Sequence, residues 1–64
     1  MDEKDVYRAA NLMIEYYDLD AAIMAALRAD HFFEQGDIDG SREWKRIVDA
    51  INVLQQDSPG KLIN

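Results

Sequence analysis

The sequence predicts an all-α fold, a three-helix up-down-up bundle. Apolar residues recur at helical spacing in three segments, a Gly-Asp turn separates the last two segments, and the length of 64 residues allows one domain at most. We expect helices at about 3–17, 21–35 and 40–56. They lie in a single domain at 1–57, followed by a frayed C-terminal tail at 58–64.

Helix one carries an apolar arc that is wider than a three-helix core requires. Asp2 or Asp5 suits its N-cap. A core helix normally buries a stripe about 100° wide, whereas apolar residues cover most of this helix. Tyrosines on such an arc are typical of an interface that buries the rings and leaves the hydroxyls at the rim. The candidate interaction residues are Tyr7, Leu12, Ile14, Tyr16 and Tyr17.

Helix two follows a short connection without glycine. Asp20 is its predicted cap, and a helix that runs straight through the connection is an alternative. Alanines form one face, which lets a neighbouring helix approach closely. The predicted core volume comes from Ile23, Leu27, Phe32 and Phe33. Asp30 lies at the edge of this arc; if buried it needs a partner, and the candidates are Arg42, Lys45 and Arg46.

Helix three is the clearest amphipathic segment. Gly36 ends helix two in the left-handed conformation, and Asp39 precedes helix three as its cap. Trp44, Ile47 and Ile51 recur on one face, which assigns them to the core, with an interaction anchor as the alternative for Trp44. The Asp57-Ser58-Pro59-Gly60 segment stops the helix.

Composition excludes several function classes. The net charge of -6 argues against nucleic acid and anionic membranes as partners. The absence of cysteine excludes disulfides and thiolate zinc sites. The N-terminus is acidic, unlike that of a secretory signal, and no apolar run approaches the ~20 residues that span a bilayer. We therefore expect a cytoplasmic protein.

No constellation of residues predicts catalysis or metal binding. The run from Asp37 superficially resembles a calcium loop, but its glycine is in the wrong place and its twelfth residue is Val48. His31 and Glu34 share a helix face without further ligands from other helices. We expect no catalytic residues, no metal, no cofactor and no small-molecule substrate, and hence no enzyme.

Several short motifs resemble a group of short uncharacterised bacterial helical proteins. The motifs are Ala21-Ala22, Arg28-Ala29-Asp30, Gly36-Asp37, Gly40, Trp44-Lys45-Arg46-Ile47 and Ala50-Ile51. The group's pattern is an alanine-rich helix, a Gly-Asp turn and a Trp-x-x-Ile helix, and it spans most of this chain. The resemblance implies a helical fold and carries no assigned activity.

The leading functional hypothesis is a non-enzymatic protein-interaction module that self-associates through helix one. A small chain without disulfides gains stability from a partner subunit, so a homodimer is favoured over another protein. One alternative is an acidic inhibitor or nucleic-acid-mimicking decoy that binds a basic protein surface. A small metal-dependent enzyme is a third class.

Overall fold

The computed structural model describes residues 1–56, and all of their regular structure is helical, which confirms the all-α class. The elements are α1 (Glu3–Tyr17), a 3-10 turn (Asp18–Asp20), α2 (Ala21–Glu34) and α3 (Ile38–Gln56). No helix within the described part is long and apolar enough to cross a membrane. The predicted tail at 58–64 and the stop signal from Asp57 lie outside the described residues.

The segment from α1 to α2 is best described as one long bent helix. The 3-10 turn follows α1 directly, and α2 follows the turn with no residue between them. The bend lies at Asp18, whose backbone has φ 50° and ψ −119°, a conformation that residues with a Cβ rarely adopt. The chain therefore lies between the two predictions: it does not run straight, and it does not form three clearly separate helices.

Helix α3 packs against both arms of the bent helix. Near the start of α1, Arg46 Nη1 donates a hydrogen bond to the Met1 carbonyl at 3.1 Å. Near the bend, Gln55 Nε2 donates to the Asp18 carbonyl at 2.9 Å. Between these points, apolar residues of all three helices share one buried cluster. The cluster places the core along α3.

The buried face of α2 is its alanine face. Ala21, Ala25 and Ala29 are at most 1% exposed, and the first two share one core cluster with the fully buried Ile47 and Ile51. Small side chains let α3 approach closely, as the sequence predicts.

The bulky residues of α2 do not supply the core volume, which corrects that prediction. Ile23, Leu27 and Phe33 are 61%, 56% and 59% exposed, while Phe32 is half-buried. The physical reason is that only one face of α2 can pack against α3. The alanine face allows the closer contact, so these side chains are turned outward.

The helix ends follow the predicted chemistry with two shifts. Asp2 caps α1, accepting a hydrogen bond from the Asp5 amide at 3.1 Å. Asp20 makes no side-chain cap bond to α2, contrary to the prediction. The turn between α2 and α3 contains Gly36 at φ 82°, the left-handed conformation.

Helix α3 begins two residues before the predicted boundary of 40, and Asp37 is its cap. The carboxylate of Asp37 accepts a hydrogen bond from the Gly40 amide at 2.9 Å. Asp39 lies inside the first turn, exposed, with its carboxylate 3.5 Å from Arg42. Gly40 also allows a close approach, because a Cβ there would lie 2.7 Å from Asp37 Oδ2 and 3.0 Å from Phe32 Cδ1.

Candidate interaction surface

Three exposed aliphatic side chains follow one another at intervals of four residues on the outer side of α2 and the turn before it. They are Leu19, Ile23 and Leu27, which are 82%, 61% and 56% exposed. We call these three residues the apolar stripe. Ile23 and Leu27, four residues apart in α2, lie on one face of that helix, and Leu19 is exposed in the 3-10 turn directly before it. Isolated exposed aliphatic residues are common, whereas a contiguous row of them is typical of an interaction site.

The second half of α1 contributes a neighbouring set of exposed apolar groups. Leu12 is 48% exposed and Tyr16 is 76% exposed, and they are again four residues apart. Tyr17 is 37% exposed and lies beside them. We call Leu12 and Tyr16 the α1 flank.

The predicted interaction residues of α1 thus divide into two groups. Leu12, Tyr16 and Tyr17 are exposed, whereas Tyr7 and Ile14 are half-buried and pack against the core. Both of the latter lie on the opposite edge of the apolar arc. The exposed apolar groups of α1 are therefore concentrated on one side of the helix.

Trp44 lies at the junction of the three helices and is only half-buried. The guanidinium carbon of Arg28 is 4.9 Å from the centroid of the Trp44 ring, which is a cation–π contact. Trp44 also packs against the core cluster. Its ring is partly buried and carries the exposed cation of Arg28, so Trp44 has features of both predicted roles, a core residue and an interaction anchor.

Two surface clefts meet at Tyr17 and Arg28. One cleft, of about 400 Å³, is also lined by Ala9, Leu12, Met13, Tyr16 and Trp44. The other, of about 370 Å³, is also lined by Met24, Leu27, His31 and Phe32. Each cleft reaches one of the exposed sets, the α1 flank or the apolar stripe. Arg28 therefore lies between the two apolar surfaces.

Arg28 differs from the other arginines of the described chain in its electrostatic partners. The other three arginines pair with a carboxylate three residues away: Arg8 with Asp5 at 3.8 Å, Arg42 with Asp39 at 3.5 Å and Arg46 with Glu43 at 3.4 Å. Within residues 1–56, no carboxylate lies within 4.0 Å of Arg28. Its position over Trp44, sixteen residues away, has no signature in the local sequence.

Asp30 is not buried and so does not need the cationic partner that a buried carboxylate would require. It is exposed, and it lies in a groove between α2 and α3 that Lys45 also lines. No ion pair within 4.0 Å joins it to a cation in the described part of the chain. In the same part, no group of three or more His, Asp or Glu residues is arranged to hold a metal ion.

No protein-family model matches this chain, and no significant match to a curated protein or to a solved structure was found.

Proposed function

We propose that this protein is a non-enzymatic interaction module that self-associates through the apolar stripe and the adjoining α1 flank. The observation that carries the proposal is the exposure of Leu19, Ile23 and Leu27, each of which is more than half accessible. A helix that has already buried its opposite face against α3 can bury this row only against another molecule. The proposed interface thus includes α2 as well as the α1 surface that the sequence predicts.

The expected affinity follows from the area that remains exposed. Fully burying a Leu or Ile side chain is worth about 1.5–3 kcal/mol, so each partly exposed stripe residue is worth about 1–2 kcal/mol. Two copies together bury twice the stripe, for a gross gain of about 6–12 kcal/mol. Association costs at least about 4 kcal/mol. The net of at most about 8 kcal/mol corresponds to a dissociation constant of about 1 μM or weaker.

Sedimentation velocity between micromolar and millimolar concentration tests this proposal. We expect a monomer at the low end and a dimer at the high end. Ile23→Asp should abolish the dimer, because a carboxylate at the centre of the stripe would have to be desolvated. The matched control is Ile38→Asp, which alters an apolar residue of α3 that is 47% exposed and lies outside the stripe.

A well-folded monomer at every concentration would overturn self-association and leave the stripe for a different protein. Equal loss of the dimer in Ile38→Asp would instead show that the contact lies elsewhere. Circular dichroism of each variant separates loss of association from loss of folding.

We also propose that the domain folds back on itself in an up-down-up arrangement. The contacts from α3 to Met1 and to Asp18, at the two ends of α1, support this arrangement. The chain has no cysteine, so spin labels at Lys4→Cys and Glu34→Cys would be the only ones attached. A straight helix would hold those positions about 45 Å apart at 1.5 Å per residue. A folded-back chain requires a distribution centred well below that distance.

A further inference from the structure

Two surface clefts of this acidic chain lack carboxylates, and Arg28 lies where they meet. The clefts of about 400 and 370 Å³ that share Tyr17 and Arg28 have no Asp or Glu among their lining residues. Three other clefts of the described chain are each lined by at least one carboxylate. In a chain of net charge -6, the surroundings of Arg28 are therefore an exception. An anion that enters these two clefts meets a cation and no adjacent carboxylate.

The guanidinium of Arg28 is available to an external acceptor. The side chain is exposed, and within residues 1–56 it donates no hydrogen bond and pairs with no carboxylate. Its one contact, with the Trp44 ring at 4.9 Å, uses the ring electrons and leaves the charge in place. This contact positions the guanidinium beside the clefts, where its N–H groups can donate charge-assisted hydrogen bonds to a carboxylate.

The larger of the two clefts supplies an apolar surface next to this cation. We call it the Trp44 cleft; its walls include Leu12, Met13, Tyr16 and Trp44, and Arg28 is the only charged residue that lines it. Small-molecule sites of about 300–1,000 Å³ are typically built in this way, with apolar and aromatic walls and a few polar groups that orient the ligand. The volume of about 400 Å³ lies within that range.

We infer that the Trp44 cleft binds a small amphiphile that has one carboxylate head and one apolar chain, a fatty acid in its simplest form. The head pairs with Arg28, and the chain lies along Leu12, Tyr16 and Trp44. The ligand is bound and not transformed, so the protein remains a non-enzymatic one. A single chain forms the whole cleft, so the inference goes beyond the proposed self-association and does not depend on it.

Three probes test the inference through the fluorescence of Trp44, the only tryptophan of the chain. Octanoate has both features, acetate has only the head, and octylammonium has the same chain with the opposite charge. Ligand efficiencies typical of small molecules correspond to a dissociation constant of about 1 mM for octanoate. Acetate and octylammonium should each bind at least about tenfold more weakly. The comparison with octylammonium is stringent, because the net charge of the protein favours a cation.

Substitution of Arg28 tests the recognition of the head. Arg28→Gln removes the charge of an exposed side chain and should weaken octanoate binding at least about tenfold. Arg42→Gln is the matched control, because it removes the same charge from an exposed arginine outside the cleft, and it should change the affinity less than about twofold. Arg28→Lys keeps the charge and should retain more affinity than Arg28→Gln. Amide shifts in ¹⁵N spectra measure these affinities independently of the Trp44 contact.

A second pair of variants tests the apolar wall without any change at Arg28. Leu12→Asp places a carboxylate in the wall and should weaken octanoate binding at least about tenfold. Val53→Asp is the matched control, since Val53 is 47% exposed against 48% for Leu12 and lies outside the cleft. Circular dichroism of every variant separates loss of binding from loss of folding.

Octanoate binding that is lost in Arg28→Gln and Leu12→Asp but kept in both controls would support the inference. Unchanged binding in either of those two variants, equal loss in Arg42→Gln, or octylammonium binding as tight as that of octanoate would overturn it. No octanoate binding to the unsubstituted protein up to about 10 mM, tenfold above the expected constant, would also overturn it. The titrations use low micromolar protein, where the proposed dimer is dissociated, so their failure leaves the proposed self-association standing.

Discussion

Replacing Asp18 with glycine should stabilise the protein, which is the reverse of the usual effect of glycine inside a helix. The backbone at Asp18 has φ 50° and ψ −119°, where a Cβ is strained. Residues held in such sparsely populated conformations cost about 1–3 kcal/mol. Glycine relieves that strain because it has no Cβ. Against this gain, glycine costs about 0.5–1 kcal/mol of stability because it has more conformational entropy to lose on folding. We expect a net gain of about 1 kcal/mol for Asp18→Gly.

The matched variant is Asp18→Ala, which keeps the Cβ and therefore the strain. The contact from Gln55 is made to the Asp18 carbonyl, so both substitutions preserve that hydrogen bond. In an ordinary helix interior, alanine is more stabilising than glycine by about 1 kcal/mol. At this bend the order should be reversed, and the reversal does not depend on the absolute value of either effect.

Thermal unfolding followed by circular dichroism measures the difference. For a domain of this size, a change of 1 kcal/mol shifts the melting temperature by about 4–8 °C. Asp18→Gly should therefore melt several degrees above Asp18→Ala, and urea unfolding should give the same order. If the alanine variant is equally or more stable, the bend at Asp18 is refuted and a continuous helix through this segment is favoured.

Three further predictions concern the core and the helix ends. Ser41 is 2% exposed, and its Oγ has no hydrogen-bond partner among residues 1–56, so Ser41→Ala should stabilise the protein by about 1 kcal/mol and raise its melting temperature; a lower melting temperature would show that the hydroxyl is bonded. Ala25→Leu should cost about 1–3 kcal/mol by overpacking the α2–α3 contact, and unchanged urea unfolding would mean that the helices are further apart. Asp37→Ala should cost about 1 kcal/mol and Asp20→Ala less than about 0.5 kcal/mol, because of these two aspartates only Asp37 makes a cap bond. Similar melting temperatures for the two variants would contradict this assignment.

Much of the local structure could be predicted from the sequence because it depends on near neighbours. Gly36 after a helical run indicates a left-handed helix end, and the structure has φ 82° there. The spacing of Ile47 and Ile51 places them on one face, and both are fully buried. A carboxylate ahead of a helix predicts a cap, although two aspartates, Asp37 and Asp39, were available and local pattern favoured the wrong one. The amide that a cap reaches depends on where the first turn begins.

The bend between α1 and α2 could not be located from the sequence. No glycine or proline interrupts the chain between Tyr17 and Ala21, so local propensity favours a continuous helix as much as a break. The chain turns at Asp18 because packing of both arms against α3 compensates for a strained backbone. That compensation comes from residues such as Gln55, which are distant in sequence.

The sequence by itself determined that this protein is helical, where its Gly36 turn lies, and that α2 has one alanine face and one bulky face. Only the tertiary structure decided that the bulky face is left out of the core. Bulk alone would favour Ile23 and Leu27 as core, but two helices gain more contact when small side chains allow close approach, so the alanines are inside. The same choice turned the apolar stripe outward and placed Arg28 over Trp44, because long-range packing, which the sequence does not display, fixes which side chains meet.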